Sequence, residues 1–276
     1  AAAARIGVDR ALDHARRTFE WLEEHCRDTE YGGYFELTER DGTPVLDPMD
    51  AAATRRDGLA SSHGIKTQNT SLHLLEAFTE LYRVWPDARV RERIRELMEL
   101  LTGPFLLDGI HSAQMLYRDL KPATEQISYG HDIEAAHLLL AAARTLGDPL
   151  PTGVARGFAD YVLVEGRDPV HGGISYFGTP GNSPTQRRKH WWVMPEAILG
   201  YLAVYRETMH EGYLRAADEL WRWTQEHLVD KEFGGWFGEL DEENRVVDDR
   251  KGHAWKANYH ETRALLFGAR VLRSID

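Results

Sequence analysis

Two histidines stand where a proton-transfer site could be assembled. His131 lies in Ser128-Tyr129-Gly130-His131-Asp132-Ile133-Glu134, and His260 in Trp255-Lys256-Ala257-Asn258-Tyr259-His260. Each opens a segment whose apolar residues recur at helical spacing. A helix N-terminus carries partial positive charge, which disfavours imidazolium and keeps a histidine neutral, the state a base requires. Glu134 is three residues beyond His131 on the same helix face, so it can orient the ring or stabilise its charged form. Two further helix starts join the series: Asn69 in Lys66-Thr67-Gln68-Asn69-Thr70-Ser71-Leu72-His73, and Trp191 in Lys189-His190-Trp191-Trp192. The four starts are 62, 60 and 69 residues apart. Asn69, His73 and Glu76 form an i, i+4, i+7 stripe that is polar on a helix expected to face inward. Trp191, Trp192 and Trp255 offer flat apolar faces of the kind that stack on sugar C–H surfaces.

Structural roles compete with these readings. Asn69 could cap its helix. Trp191 and Trp192 could be core aromatics, since adjacent residues cannot both point the same way. His14, His25, His210 and His227 read as structural. His73, His131 and His260 could in principle share a metal, but no HExxH-like or Cys/His ligand spacing is present, so no metal and no cofactor are expected.

The elements that must position these residues show as a repeat. Asp28-x-x-Tyr31-Gly32-Gly33-Tyr34-Phe35, Asp168-x-x-His171-Gly172-Gly173-Ile174 and Asp230-x-x-Phe233-Gly234-Gly235-Trp236-Phe237 share one pattern, with a degraded copy at Asp108-Gly109-Ile110. A fixed period marks one supersecondary unit stacked on its neighbours. The glycine pair permits a turn that a side chain would block, and the residues after it suit a short hairpin. Between the turns, helical spacing predicts eight helices, at about residues 8–26, 69–84, 88–102, 131–146, 151–165, 190–207, 211–228 and 258–273. Strand signal is confined to the glycine hairpins. The fold class is therefore all-α, with helix pairs in the register of an α/α toroid. Rings of this kind most often close with six pairs, and four are found. The chain is accordingly expected to be one α/α-barrel domain, residues 1–276, forming the C-terminal two-thirds of an (α/α)6-type barrel that lacks about its first four helices; a complete open arc is the alternative.

Composition narrows the partners. The formal net charge of −11 argues against nucleic acid or an anionic membrane, which need a basic face. No apolar run approaches the roughly 20 residues of a membrane span, and the first residues lack the apolar stretch of a signal peptide. The single cysteine, Cys26, cannot form an internal disulfide and fits a reducing, cytoplasmic setting. A soluble monomer or homodimer acting on a small molecule is the expectation.

With the motifs in place, a family resemblance emerges over nearly the whole chain. Asn69-Thr70-x-x-His73-Leu74-Leu75-Glu76-Ala77 with Leu81-Tyr82-Arg83-Val84-Trp85-Pro86-Asp87 resembles the N-acylglucosamine 2-epimerase family, in particular its cellobiose 2-epimerase branch. So do Ser128–Glu134, Lys189-His190-Trp191-Trp192-Val193 and Trp255-Lys256-x-x-Tyr259-His260. The resemblance implies an (α/α)6 barrel, no metal or nucleotide, and a sugar substrate. It further implies that His131 and His260 are paired acid/base residues, inverting C2 of a reducing-end aldose (cellobiose- or mannose-like) through ring opening and an enediolate. His73 and Glu134 would support them, Asn69 and Glu196 would bind sugar hydroxyls, and Trp191 or Trp192 with Trp255 would stack on the rings. The sequence departs from the family pattern at Met194-Pro195-Glu196, where Gln usually precedes the Glu, at Asn258 in place of Pro, and at Glu261-Thr262 in place of Asn-Gly. The family's N-terminal catalytic arginine has no counterpart before residue 1. An aldose–ketose isomerase of the mannose type, a glycoside hydrolase or lyase, and a catalytically impaired sugar-binding relative are the alternative functions.

Overall fold

A computed structural model describes residues 7–46, 65–181 and 184–273. Eight α-helices dominate among the described residues: α1 (Asp9–His25), α2 (Gln68–Tyr82), α3 (Ala88–Thr102), α4 (Tyr129–Leu146), α5 (Thr152–Tyr161), α6 (Val193–Thr208), α7 (Glu211–Trp223) and α8 (Tyr259–Arg273). Helices α5 and α7 each run on into a π-helical turn, Val162–Gly166 and Thr224–Leu228. All eight expected helices are found, their ends displaced by a few residues. None of the described helices is long and apolar enough to cross a membrane.

The chain folds as two compact units. Among the described residues, the first comprises 7–46, 65–107, 113–125 and 141–149. In it α2 packs on α3, and Phe19 of α1 meets Phe78 of α2 edge-on at 5.2 Å. The second comprises 108–112, 126–140, 150–181 and 184–273. Its centre is α6, which packs against α5, α7 and α8 and is buried without interruption from Val193 to Tyr205.

The strands correct the expectation that extended structure is confined to the glycine turns. Each Gly-Gly turn is closed by a single bridge: Arg27 with Tyr34, Arg167 with Ile174, Val229 with Trp236. The ladders form elsewhere and repeat. A strand just before a helix pair joins, antiparallel, a strand beyond the turn that ends the pair. Thus β1 (Ile65–Thr67), before α2, pairs with β4 (Met115–Tyr117); two further short strands, β2 (Leu106–Leu107) and β3 (His111–Ser112), lie between them in sequence. Then β5 (Ile127–Ser128), before α4, pairs with β6 (Phe177–Gly178). Finally β7 (Lys189–His190), just ahead of α6, pairs with β8 (Glu239–Leu240), which also holds β9 (Val246–Asp248).

The aspartate that opens each Gly-Gly turn explains why these turns hold. In the second unit, Asp168 Oδ1 accepts from the amides of Val170 and His171 at 2.9 and 3.0 Å, and Oδ2 accepts from Lys189 Nζ at 2.8 Å. Asp230 does the same with Glu232, Phe233 and Lys251, at 2.9, 3.0 and 2.6 Å. In both, the lysine is 21 residues after the aspartate. In the first unit Asp28 binds the amides of Glu30 and Tyr31 and takes Lys66 Nζ at 2.9 Å together with Arg118. The glycine pairs carry φ between +68° and +79°, the left-handed region that only glycine enters freely. Each lysine precedes the next helix start, so the staple fixes a turn and the following helix entry together.

These carboxylates are held below their ordinary range. Burial pushes Asp28 up, but hydrogen bonds from Arg118 and Lys66 outweigh it and bring it to about 2. Lys251, with the amides of Phe233 and Glu232, brings Asp230 to about 2. A depressed carboxylate stabilises the fold above the unfolded aspartate's pKa of about 4, and that contribution is lost as pH falls toward the folded value. Side chains of Lys189 and Asp168 are 0% and 1% exposed. Removing one member of such a pair strands a buried charge, so we expect Lys189→Met to lower the unfolding free energy at pH 7 by about 3 kcal/mol. Urea titration followed by tryptophan fluorescence measures it, and the difference from wild type should shrink below pH ~4.

Candidate active site

The second unit brings five of the singled-out residues together, His131, Glu134, Trp192, Glu196 and His260, and adds two that sequence reasoning missed, His137 and Arg263. His131 is the third residue of α4. Its amide donates to Ser128 Oγ at 3.3 Å, so Ser128 caps the helix start. The same turn is tethered by Asp132, which accepts from the Ser112 amide at 3.1 Å. His260 is the second residue of α8 and is 6% exposed. The Trp192 indole lies against both rings, with centroids 4.8 Å from His131 and 5.7 Å from His260. Gly130 makes this possible: a Cβ there would come within 2.5 Å of the indole.

Beneath the histidines lies a buried charge network. Glu196, one turn into α6, is 0% exposed. Its Oε1 is 2.7 Å from His260 Nδ1 and 2.8 Å from the Arg263 guanidinium; its Oε2 is 2.6 Å from His137 Nε2. Arg263 also binds Glu134 Oε1 at 2.7 Å. Burial alone would raise Glu196, yet the positive charge of Arg263 and the hydrogen bonds from His137 and His260 hold it well below the usual carboxylate range. An ionised carboxylate only accepts, so each imidazole nitrogen facing it carries the proton. For His260 that places the proton on Nδ1 and leaves Nε2 as the basic nitrogen. Close approach of α4 and α6 underlies the arrangement, since a Cβ on Gly200 would meet the Ile133 side chain and carbonyl at 2.6 and 2.7 Å.

Glu196, expected to bind sugar hydroxyls, is enclosed, and both its oxygens serve protein donors. Glu134, expected to orient His131, is held by Arg263 on α8, a residue that sequence reasoning did not single out. His137 was missed too, although it continues the i, i+3 progression from Glu134 on α4. The two tryptophans diverge as adjacent residues must. Trp192 serves the histidines, while Trp191 lies under Lys256 (5.3 Å) and edge-on to His253 (5.2 Å). Trp255 is 52% exposed, away from the network's buried interior. Tyr176, also unforeseen, stacks on His190 at 3.7 Å and meets Trp192 edge-on. Burial lowers His190 to about 4, so that ring is neutral at physiological pH.

Glu134, Glu196 and His260 place ligand atoms close enough to hold a metal ion. The Arg263 guanidinium already bridges the two carboxylates, however, and supplies the positive charge that a cation would bring. The donor set does not fit a resident metal.

Asn69 and His73 belong to the first unit. Thr67, not Asn69, caps α2, accepting from the Thr70 amide at 3.0 Å. Glu36 binds the hydroxyls of both threonines at 2.5 Å. Asn69 is the second residue of the helix and half-buried, and His73 Nδ1 is 3.6 Å from Glu76 Oε2.

The chain resembles known sugar epimerases and isomerases in sequence and in fold. The cellobiose 2-epimerase of Bacteroides fragilis is 32% identical over 267 residues, covering 93% of this chain and 65% of its own length. The D-mannose isomerase of Marinomonas mediterranea is 23% identical over 275 residues, covering 94% and 65%. The solved cellobiose 2-epimerase of Spirochaeta thermophila is 34% identical and superimposes with a TM-score of 0.84, covering 99% of this chain and 67% of that one. The chain thus spans slightly less than two thirds of the length of these two curated relatives. The family model for N-acylglucosamine 2-epimerase (GlcNAc 2-epimerase) matches residues 51–264, and the chain belongs to that family.

Proposed function

We propose that this protein is a carbohydrate 2-epimerase that inverts C2 of a reducing-end aldose, cellobiose- or mannose-like, with His131 and His260 as the two acid/base groups. The observation that carries the reading is the single indole of Trp192 lying against both imidazoles, one of them fixed by Glu196. Inversion requires a proton to leave one face of C2 and another to arrive on the opposite face. Two histidines do this with an enediolate between them. The ionised Glu196 stabilises the imidazolium that forms on His260, and Arg263, which also binds Glu134, keeps Glu196 charged. Glu134 and Glu196 are thereby assigned to positioning, and Trp192 to separating the two rings.

Family likeness supplies the remaining assignments. His73 assists ring opening, Asn69 binds sugar hydroxyls, and Trp191 and Trp255 contribute aromatic surface. The same likeness supports reading the helix pairs as four of the six pairs of an (α/α)6 toroid. It also supports a sugar as the partner, without a metal or nucleotide.

An aldose–ketose isomerase is the second reading, favoured by the likeness to the D-mannose isomerase. It would move a proton between C1 and C2 on one face and need a single base. A glycoside hydrolase is disfavoured on physical grounds, because it needs a carboxylic acid with a raised pKa and Glu196 is held low.

Incubation with cellobiose or mannose in D2O distinguishes these readings. Epimerisation yields the C2 epimer with deuterium at C2; isomerisation yields a ketose labelled at C1; neither product would overturn both readings. We expect His131→Asn and His260→Asn each to cut turnover by about 10²–10⁴-fold, and full activity in either would remove that histidine from the mechanism. Glu196→Gln keeps the shape but removes the charge facing His260. It should lower kcat by about 10–100-fold with little change in KM, read from steady-state epimer formation.

A further inference from the structure

The proton transfer uses every member of the buried network except His137. This residue lies on α4, is 6% exposed, and faces Glu196 Oε2 at 2.6 Å, opposite the oxygen that binds His260. Packing alone asks only for an apolar or aromatic residue at this position; the imidazole instead supplies a donor to Glu196 Oε2. We propose that His137 is a positioning residue that sets the proton affinity of His260 through Glu196. The proposal deepens the reading of His260 as an acid/base group and rests on it.

Charge balance in a dry interior sets the direction of the effect. The groups facing the His260–Glu196 pair are His137 and Glu134 from α4, Arg263 from α8, and His131 across Trp192. The Tyr259 ring lies on His260, and the Lys256–Glu261 ion pair adjoins it, compensated within itself at 3.2 Å. Arg263 is shared between Glu134 and Glu196, so it compensates Glu196 only in part, and the rest of that charge is shared between the imidazoles of His137 and His260. A buried anion strengthens whatever donates to it. When His137 donates to Oε2, it draws on that charge, and less remains to stabilise a proton on His260. Removing His137 therefore raises the pKa of His260. The sign is the same whether His137 is neutral or charged, because loss of a donor and loss of a positive charge act alike.

The test compares wild type with His137→Phe, which fills the space without a donor, and His137→Gln, whose amide nitrogen can reproduce the Nε2 donor. The direct readout is the His260 imidazole titration, followed by NMR of the histidine-labelled protein with the signal assigned by its loss in His260→Asn. We expect the midpoint to rise by about one pH unit in His137→Phe and to return toward wild type in His137→Gln. The acid limb of kcat/KM should shift with it by the same amount, with KM unchanged. A midpoint in folded His137→Phe equal to wild type overturns the proposal, as does a shift that His137→Gln fails to reverse. If His137→Phe does not fold, His137→Met takes its place under the same criteria. The titration does not depend on turnover, so a protein that shows the coupling but leaves sugars unchanged would sink the epimerase reading and leave the coupling standing.

Discussion

A carboxylate with no exposure to water must find its hydrogen bonds in the protein, and in the second unit that requirement falls on Glu196. Its donors come from two helices other than its own: His137 from α4, and His260 and Arg263 from α8. Losing any of them would leave part of a buried charge uncompensated, which costs more than the interaction itself gains. The relative placement of α4, α6 and α8 is thereby constrained by electrostatics as well as packing. The backbone accommodates it, with Gly200 letting α6 approach Ile133 more closely than any side chain would allow.

The same constraint produces the site. Because Glu196 is ionised, it fixes which nitrogen of His260 bears hydrogen and leaves the other as an acceptor. The helix starts that carry the histidines are held by independent means. Ser128 and Asp132 anchor the entry to α4. The Asp168–Lys189 staple fixes the chain just before Trp191-Trp192, and Asp230–Lys251 fixes the segment that leads to His260. The staples thus secure the entries to α6 and α8, which carry Trp192, Glu196 and His260. Repetition of one short motif does mechanical work at several points of the site.

Much of this was legible in the sequence. The helices announce themselves through apolar spacing, and His131 and His260 through their repeat-equivalent positions. The strands were not legible, because two-residue ladders such as β5 with β6 have no periodicity to detect. The staples were half visible: the aspartates appear in the turn pattern, while the lysines of Asp168 and Asp230 sit 21 residues on, outside any local motif. Glu196 stands out for its place after the tryptophan pair, but sequence does not say whether such a carboxylate faces ligand or interior. His137 and Arg263 follow Glu134 and His260 by three residues each. Extending those helical faces by one turn would have found both, had charged residues on largely apolar helices been treated as buried partners. The competing cap role for Asn69 falls away, since Thr67 two residues earlier supplies the capping oxygen.

Two bases serving opposite faces of one carbon leave a distinct signature in proton exchange by the single-histidine variants. Each C2 epimer of the sugar is incubated separately in D2O with His131→Asn and with His260→Asn, and deuterium at C2 of the unreacted sugar is measured by NMR. With two bases, each variant exchanges the C2 proton of one epimer only, and the two variants choose opposite epimers. Exchange of both epimers by either variant alone would mean that one base reaches both faces, and the two-base mechanism would be wrong.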